Sequence, residues 1–63
     1  MDIQELKAKA EAGDAQAQCR LGSYYYESAG NFAEAVKWFR KAADRGHSGA
    51  QNQLNYFARK GMI

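Results

Sequence analysis

A five-residue phrase occurs twice in this chain. Ala17-Gln18-Cys19-Arg20-Leu21 returns as Ala50-Gln51-Asn52-Gln53-Leu54, a shift of 33 residues. The same shift carries Gly13 onto Gly46, Ala10 onto Ala43, Leu6 onto Phe39 and Ile3 onto Val36. Self-similarity at a fixed period of roughly 20–50 residues marks a stacked-repeat architecture, in which one unit cannot bury its apolar face alone. The fold must therefore be built from layers.

Those layers read as four helices, near residues 2–12, 14–28, 31–45 and 48–60. Asp2 opens the first, with Glu5 three residues on, and Ile3, Leu6 and Ala10 form its apolar stripe. Gly13 stops it, where the left-handed conformation after a helix favours glycine. Asp14 caps the second helix. At about 100° per residue, Ala17, Leu21, Tyr24, Tyr25 and Ser28 fall on one arc, the expected buried face. Ser28-Ala29-Gly30 makes the turn. Asn31 and Glu34 form an N-x-x-E capping box for the third helix. Its wide apolar face holds Phe32, Ala35, Val36, Trp38, Phe39, Ala42 and Ala43. Lys41 and Arg45 suit the negative end of its dipole, and Gly46 ends it. Ser48 with Gln51 reads as the capping box of the fourth helix, whose inner face is Ala50, Leu54, Phe57 and Ala58. His47 reads as a loop residue. No segment alternates in the manner of a strand. Connections of two to four residues predict antiparallel packing of successive helices. The expected class is all-α, a helix-turn-helix repeat stack forming one domain over residues 1–63.

Composition narrows the function. A chain of 63 residues buries only about 60% of its unfolded surface. Ordering costs about 1.5 kcal/mol per residue, so the core must be efficient or completed by a partner. The net charge of +2 and the absence of any Lys/Arg run longer than two argue against nucleic acid. No apolar run approaches the roughly 20 residues of a membrane span. The N-terminus has no signal-peptide pattern. The single cysteine excludes an intramolecular disulfide, and a reducing, cytoplasmic setting is expected.

The repeated letters also resemble a family. Ala12-Gly13-Asp14-Ala15-Gln16-Ala17-Gln18, then Leu21-Gly22 and Tyr25, resemble the first half of a Sel-one-like repeat. Ala35, Trp38, Phe39 and Lys41-Ala42-Ala43, then Gly46, resemble its second half, and Ala50-Gln51 with Leu54 open the next copy. The resemblance spans roughly residues 3–60. Its departures are a short turn at Glu27-Ser28-Ala29-Gly30-Asn31 and Leu54-Asn55 in place of a Leu-Gly pair. The chain then reads as a half repeat, a full repeat and another half. The resemblance implies a right-handed relative of the tetratricopeptide stack that binds proteins or peptides without catalysis.

Candidate binding residues follow from that resemblance, because the first helix of each tetratricopeptide pair lines a concave groove. Gln16, Cys19, Ser23 and Tyr26 form the corresponding stripe on the second helix. Gly49, Asn52, Tyr56 and Arg59 form it on the fourth. Tyr and Arg are enriched at binding hot spots; solvated helix faces would carry the same polar letters. Three consecutive residues sweep about 200° of a helix, so Tyr24 and Tyr25 are expected to pack inward and Tyr26 to point outward beside Tyr56. Trp38 reads as core and Cys19 as an inert small residue. One Cys and one His supply no metal site, and no catalytic or phosphate-binding motif is present.

The function expected from these letters is a small interaction module, an adaptor or an inhibitor such as a small bacterial or phage protein that blocks a host enzyme. It would bind through its groove or its open ends, the latter allowing a homodimer. No cofactor is expected. The competing class is a nucleic-acid-associated regulator using Lys37, Arg40, Lys41, Arg45, Arg59 and Lys60.

Overall fold

Four helices, α1 (Ile3–Glu11), α2 (Ala15–Glu27), α3 (Phe32–Asp44) and α4 (Ser48–Arg59), make up a computed structural model that describes residues 2–63. No strand occurs among the described residues. The starts and stops follow local chemistry. Asp2, Asp14 and Asn31 each accept a bond from the backbone N–H three residues on, at 2.9, 3.2 and 3.2 Å, satisfying donors that a helix start leaves orphaned. After α1 and α3 the chain turns at Gly13 and Gly46, with φ of 101° and 88°, a region costly for any residue with a Cβ.

Two caps differ from expectation. The N-cap of α4 is His47, not Ser48, which is the first helical residue. His47 Nδ1 accepts the Ala50 N–H at 3.1 Å. His47 occupies the position of Asp14 in the preceding copy, and an unprotonated ring nitrogen does the work of a carboxylate oxygen. At α3 the box is one-sided: Asn31 caps Glu34, but the Asn31 N–H donates to the Tyr25 carbonyl at 2.8 Å. That bond belongs to the tight α2–α3 turn and replaces the reciprocal half of the box.

Successive helices pack on one another, α1 on α2, α2 on α3 and α3 on α4. The core splits into two clusters that follow the repeat. Ala10, Ala17, Leu21 and Trp38 form one, with Ile3, Leu6 and Tyr25 against it. Ala35, Phe39, Ala42, Ala50 and Phe57 form the other. Adjacent residues on α3 serve different layers: Trp38 enters the first cluster and Phe39 the second. Small residues at Ala17, Ala35, Ala42 and Ala50 let the helices approach while the rings fill the gaps.

The tightest approach lies between α2 and α3. A Cβ at Gly22 would stand 3.0 Å from two carbons of the Phe39 ring, and Phe39 is itself fully buried. Gly22 is thus a notch that admits the ring. A second tie joins α2 to the end of α1. Buried Gln18 donates from Nε2 to the Ala10 carbonyl at 3.0 Å, an oxygen that also accepts the Gly13 N–H at 3.1 Å.

The buried face of α2 is rotated from the expected arc. Ala17, Gln18, Leu21 and Gly22 are buried, Tyr24 is 38% exposed and Ser28 is exposed. The arc assumed a single neighbour, whereas α2 packs on α1 and α3 from two sides. On α3, Phe32 is 50% exposed and Val36 and Ala43 are half-buried. On α4, Leu54 is half-buried and Ala58 exposed.

Gly22→Ala gains about 1 kcal/mol of helix propensity but overpacks the Phe39 contact, which costs about 1–3 kcal/mol. The expected result is a lower urea midpoint for Gly22→Ala and a larger drop for Gly22→Val. An unchanged midpoint in both variants would show that the notch is not needed.

Candidate partner-binding surface

The two sequence-derived stripes lie on α2 and α4, and their members meet different fates. Gln16 is exposed, and its Oε1 lies 2.8 Å from His47 Nε2. Because His47 Nδ1 accepts the Ala50 N–H, the proton of the neutral ring sits on Nε2 and donates to Gln16. His47 thus caps α4 and ties it to the start of α2. Asn52, Tyr56 and Arg59 remain exposed on α4, whereas Gly49 is half-buried beneath the His47 ring. Ser23 is half-buried.

Cys19 and Tyr26 turn inward. Cys19 packs against the second core cluster. Burial pushes its thiol above the ordinary range, with the Arg20 charge partly opposing the shift. Thiolate is the reactive form, so this environment suits an inert packing residue. Tyr26, expected to point outward, is half-buried in a row of rings. Its centroid lies 5.0 Å from Phe57 and 5.5 Å from Phe32, and Phe57 stands 5.6 Å from Phe39. Lost solvation, then the neighbouring Tyr56 hydroxyl and the Glu27 carboxylate, raise the Tyr26 phenol above its usual value. Cys19 and Tyr26 lie three residues before and four after Gly22, beside the face that meets α3, and the α4 ring Phe57 settles there too, which turns part of the stripe into a seam. Tyr56 stays at the edge, 40% exposed, with the Lys60 ammonium 5.7 Å from its ring. Tyr24, expected inward, stands at the opposite end of the stack near Ile3, Leu6 and Arg20, edge-on to Tyr25 at 5.5 Å.

Trp38 is buried as expected. Its ring carries the Lys37 and Lys41 ammonium groups at 5.5 and 5.4 Å, within cation–π range. The indole Nε1 and the Gln18 Oε1 are buried without a protein partner. The cations considered for nucleic acid are dispersed. Lys37, Arg40 and Lys41 line one groove, the Arg45 guanidinium fills the space beside Gly13, and Lys60 sits over Tyr56. A backbone-tracking strip needs them in line.

One concavity was missed by the stripe argument. It is an open groove of about 630 Å³ along the outer side of α3. Phe32, Val36, Phe57, Met62 and Ile63 supply its apolar lining, and Lys37, Arg40, Lys41 and Asp44 supply its charge. Phe32 and Ile63 are each 50% exposed. The sequence signal was available: the apolar face read for α3 is wider than one neighbour can cover. No helix among the described residues is long and apolar enough to cross a membrane. No group of three or more His, Cys, Asp or Glu side chains among them converges to hold a metal.

The chain is similar to pieces of two larger proteins. It is 40% identical over 45 residues to the secretory immunoglobulin A-binding protein EsiB of Escherichia coli O6:H1, a match covering 67% of this chain and 9% of that protein. It is 38% identical over 55 residues to the F-box protein At1g70590 of Arabidopsis thaliana, covering 86% of this chain and 16% of that protein. The chain therefore spans less than a fifth of the length of either relative. No family model matches the chain, and no solved structure matches it. These similarities, with the helical stack, support the reading of a helical repeat.

Two outcomes test this geometry. Cys19 should react with iodoacetamide much more slowly in the native protein than in urea; equal rates would contradict its burial. His47→Ala should lower stability by about 1 kcal/mol through the lost cap. His47→Asp should recover most of that loss while giving up the Gln16 tie. Urea unfolding of the three proteins measures both effects.

Proposed function

We propose that this protein is a Sel-one-like repeat module that binds another protein, acting as an adaptor or an inhibitor, without catalysis and in the cytoplasm. The observation that carries this reading is the outer side of α3, where an open groove leaves Phe32 and Ile63 half-exposed. Contiguous apolar surface rimmed by charge marks interaction sites on soluble domains. The exposed Asn52, Tyr56 and Arg59 on α4 offer a second, more polar surface, and Tyr and Arg are enriched at hot spots. The EsiB name describes immunoglobulin A binding, which agrees with a protein-binding role for a related stack but names no partner for this one.

The N-terminal end offers less to a second copy of the chain. By the 33-residue shift, Ala35 and Trp38 of α3 correspond to Asp2 and Glu5 of α1. The face of α1 that corresponds to the inward face of α3 is thus polar.

Cross-linking affinity purification from the native host, identified by mass spectrometry, tests the reading. A partner is expected that is retained by the wild type and lost from Val36→Glu or from an Asn52→Ala/Tyr56→Ala/Arg59→Ala variant. Recovery of nothing above background, from a folded wild-type bait, would count against a binding module.

A further inference from the structure

The two copies of the repeat cap their leading helix with different chemistry. Asp14 caps α2 through a carboxylate oxygen, and His47, at the matching position 33 residues on, caps α4 through a ring nitrogen. A carboxylate stays ionised down to about pH 4, whereas an imidazole takes up its second proton near neutral pH. His47 is the only histidine in the chain.

The two ring nitrogens fare differently when that proton arrives. Nδ1 accepts the Ala50 N–H at 3.1 Å, and it has no lone pair left once protonated. Nε2 lies 2.8 Å from Gln16 Oε1 and donates whether or not the ring is charged. Protonation therefore breaks the bond to α4 and keeps the bond to α2. It also places a positive charge at the N-terminus of α4, against the helix dipole. The charged ring holds Gln16 more tightly. That bond is exposed to water and gains little, while the cap sits in a part-buried place.

The charged side chains of the surrounding elements are directed elsewhere. From α2 the ring meets only the neutral amide of Gln16. Asp14 commits its carboxylate to the Ala17 N–H, and Arg20 sits with Asp2 and Leu6 at the start of α1. Glu11 and Asp44 line the cleft beside Trp38, and Arg45 lays its guanidinium against Gly13. Residues 48–55 of α4 carry no ionisable side chain. What the cap holds is not peripheral: α4 brings Ala50 and Phe57 into the second core cluster, with Phe57 5.6 Å from Phe39 and 5.0 Å from Tyr26.

We propose that His47 is an acid-sensitive latch, which on protonation keeps its hold on α2 and releases the first turn of α4 from the stack. The sign follows from the bond. The unfolded chain takes up the proton without losing a partner, so proton uptake favours the uncapped state. The stability given by the cap is whole above the ordinary imidazole range and is lost as the pH falls through it.

Urea unfolding of the full chain between about pH 8 and about pH 5.5 tests the latch. Across that window the wild type should lose about fivefold in folding constant relative to His47→Asp and His47→Asn, the worth of a typical cap. Both substitutes cap without titrating there, and the α-amino group cancels because all three proteins share it. Gln16→Ala should steepen the loss, since the bond that survives protonation is gone. Amide hydrogen exchange locates the effect: within the wild type, exchange at Ala50 relative to Ala17 should quicken on acidification, because Asp14 still caps α2. That ratio needs no variant, and circular dichroism checks that each variant used is folded. Parallel pH profiles in the wild type and the substitutes overturn the proposal. So does a wild type that gains stability in acid, with the Gln16 bond outweighing the cap. Equal quickening at Ala17 and Ala50 overturns it too, since the whole stack would then be opening.

Discussion

The Phe39 ring seated against Gly22 is the contact on which this stack depends. It lets α2 and α3 approach closely enough for Trp38 to reach Leu21 and Ala10 on one side. On the other side Phe39 begins the row that runs through Phe57 to Tyr26. Burying a phenylalanine contributes about 1.5–3 kcal/mol, a large share of the stability open to so short a chain. A side chain at Gly22 would disturb both layers, because α3 links them.

Around that contact the helices are held by bonds that span elements. Gln18 reaches the last turn of α1, and His47 joins the start of α4 to the start of α2. Each uses a polar group to fix a helix terminus relative to another helix. In a stack whose extents are 31 × 25 × 14 Å, few residues lie deep, so such terminal ties matter alongside apolar burial. Thinness also explains the groove, since a helix with neighbours on only part of its circumference must leave the rest uncovered.

The candidate surfaces show how local order and global order part. Tyr24, Tyr25 and Tyr26 had to diverge, since consecutive positions on a helix point in different directions. Which of them would be covered depended on α4, more than twenty residues further along the chain. Phe57 of α4 half-covers Tyr26 at the edge of the core, and Tyr24 is left exposed near Ile3 and Leu6. Cys19 was legible as inert, but its neighbours were not. The α3 groove was legible only as an excess of apolar letters.

By itself the sequence determined the four helices, three of their four N-caps, the glycine stops and the layered order, because these rest on propensity, capping and a 33-residue period carried by neighbouring residues. It also marked Leu21-Gly22 as a special pair. Only the tertiary structure decided that Gly22 is a notch for Phe39, that His47 caps α4 while holding Gln16, and that Tyr26 is half-buried against Phe57 while Phe32 is exposed. Each of these is a contact between residues distant in the chain, and a helical period gives the direction of a side chain without saying what stands opposite it.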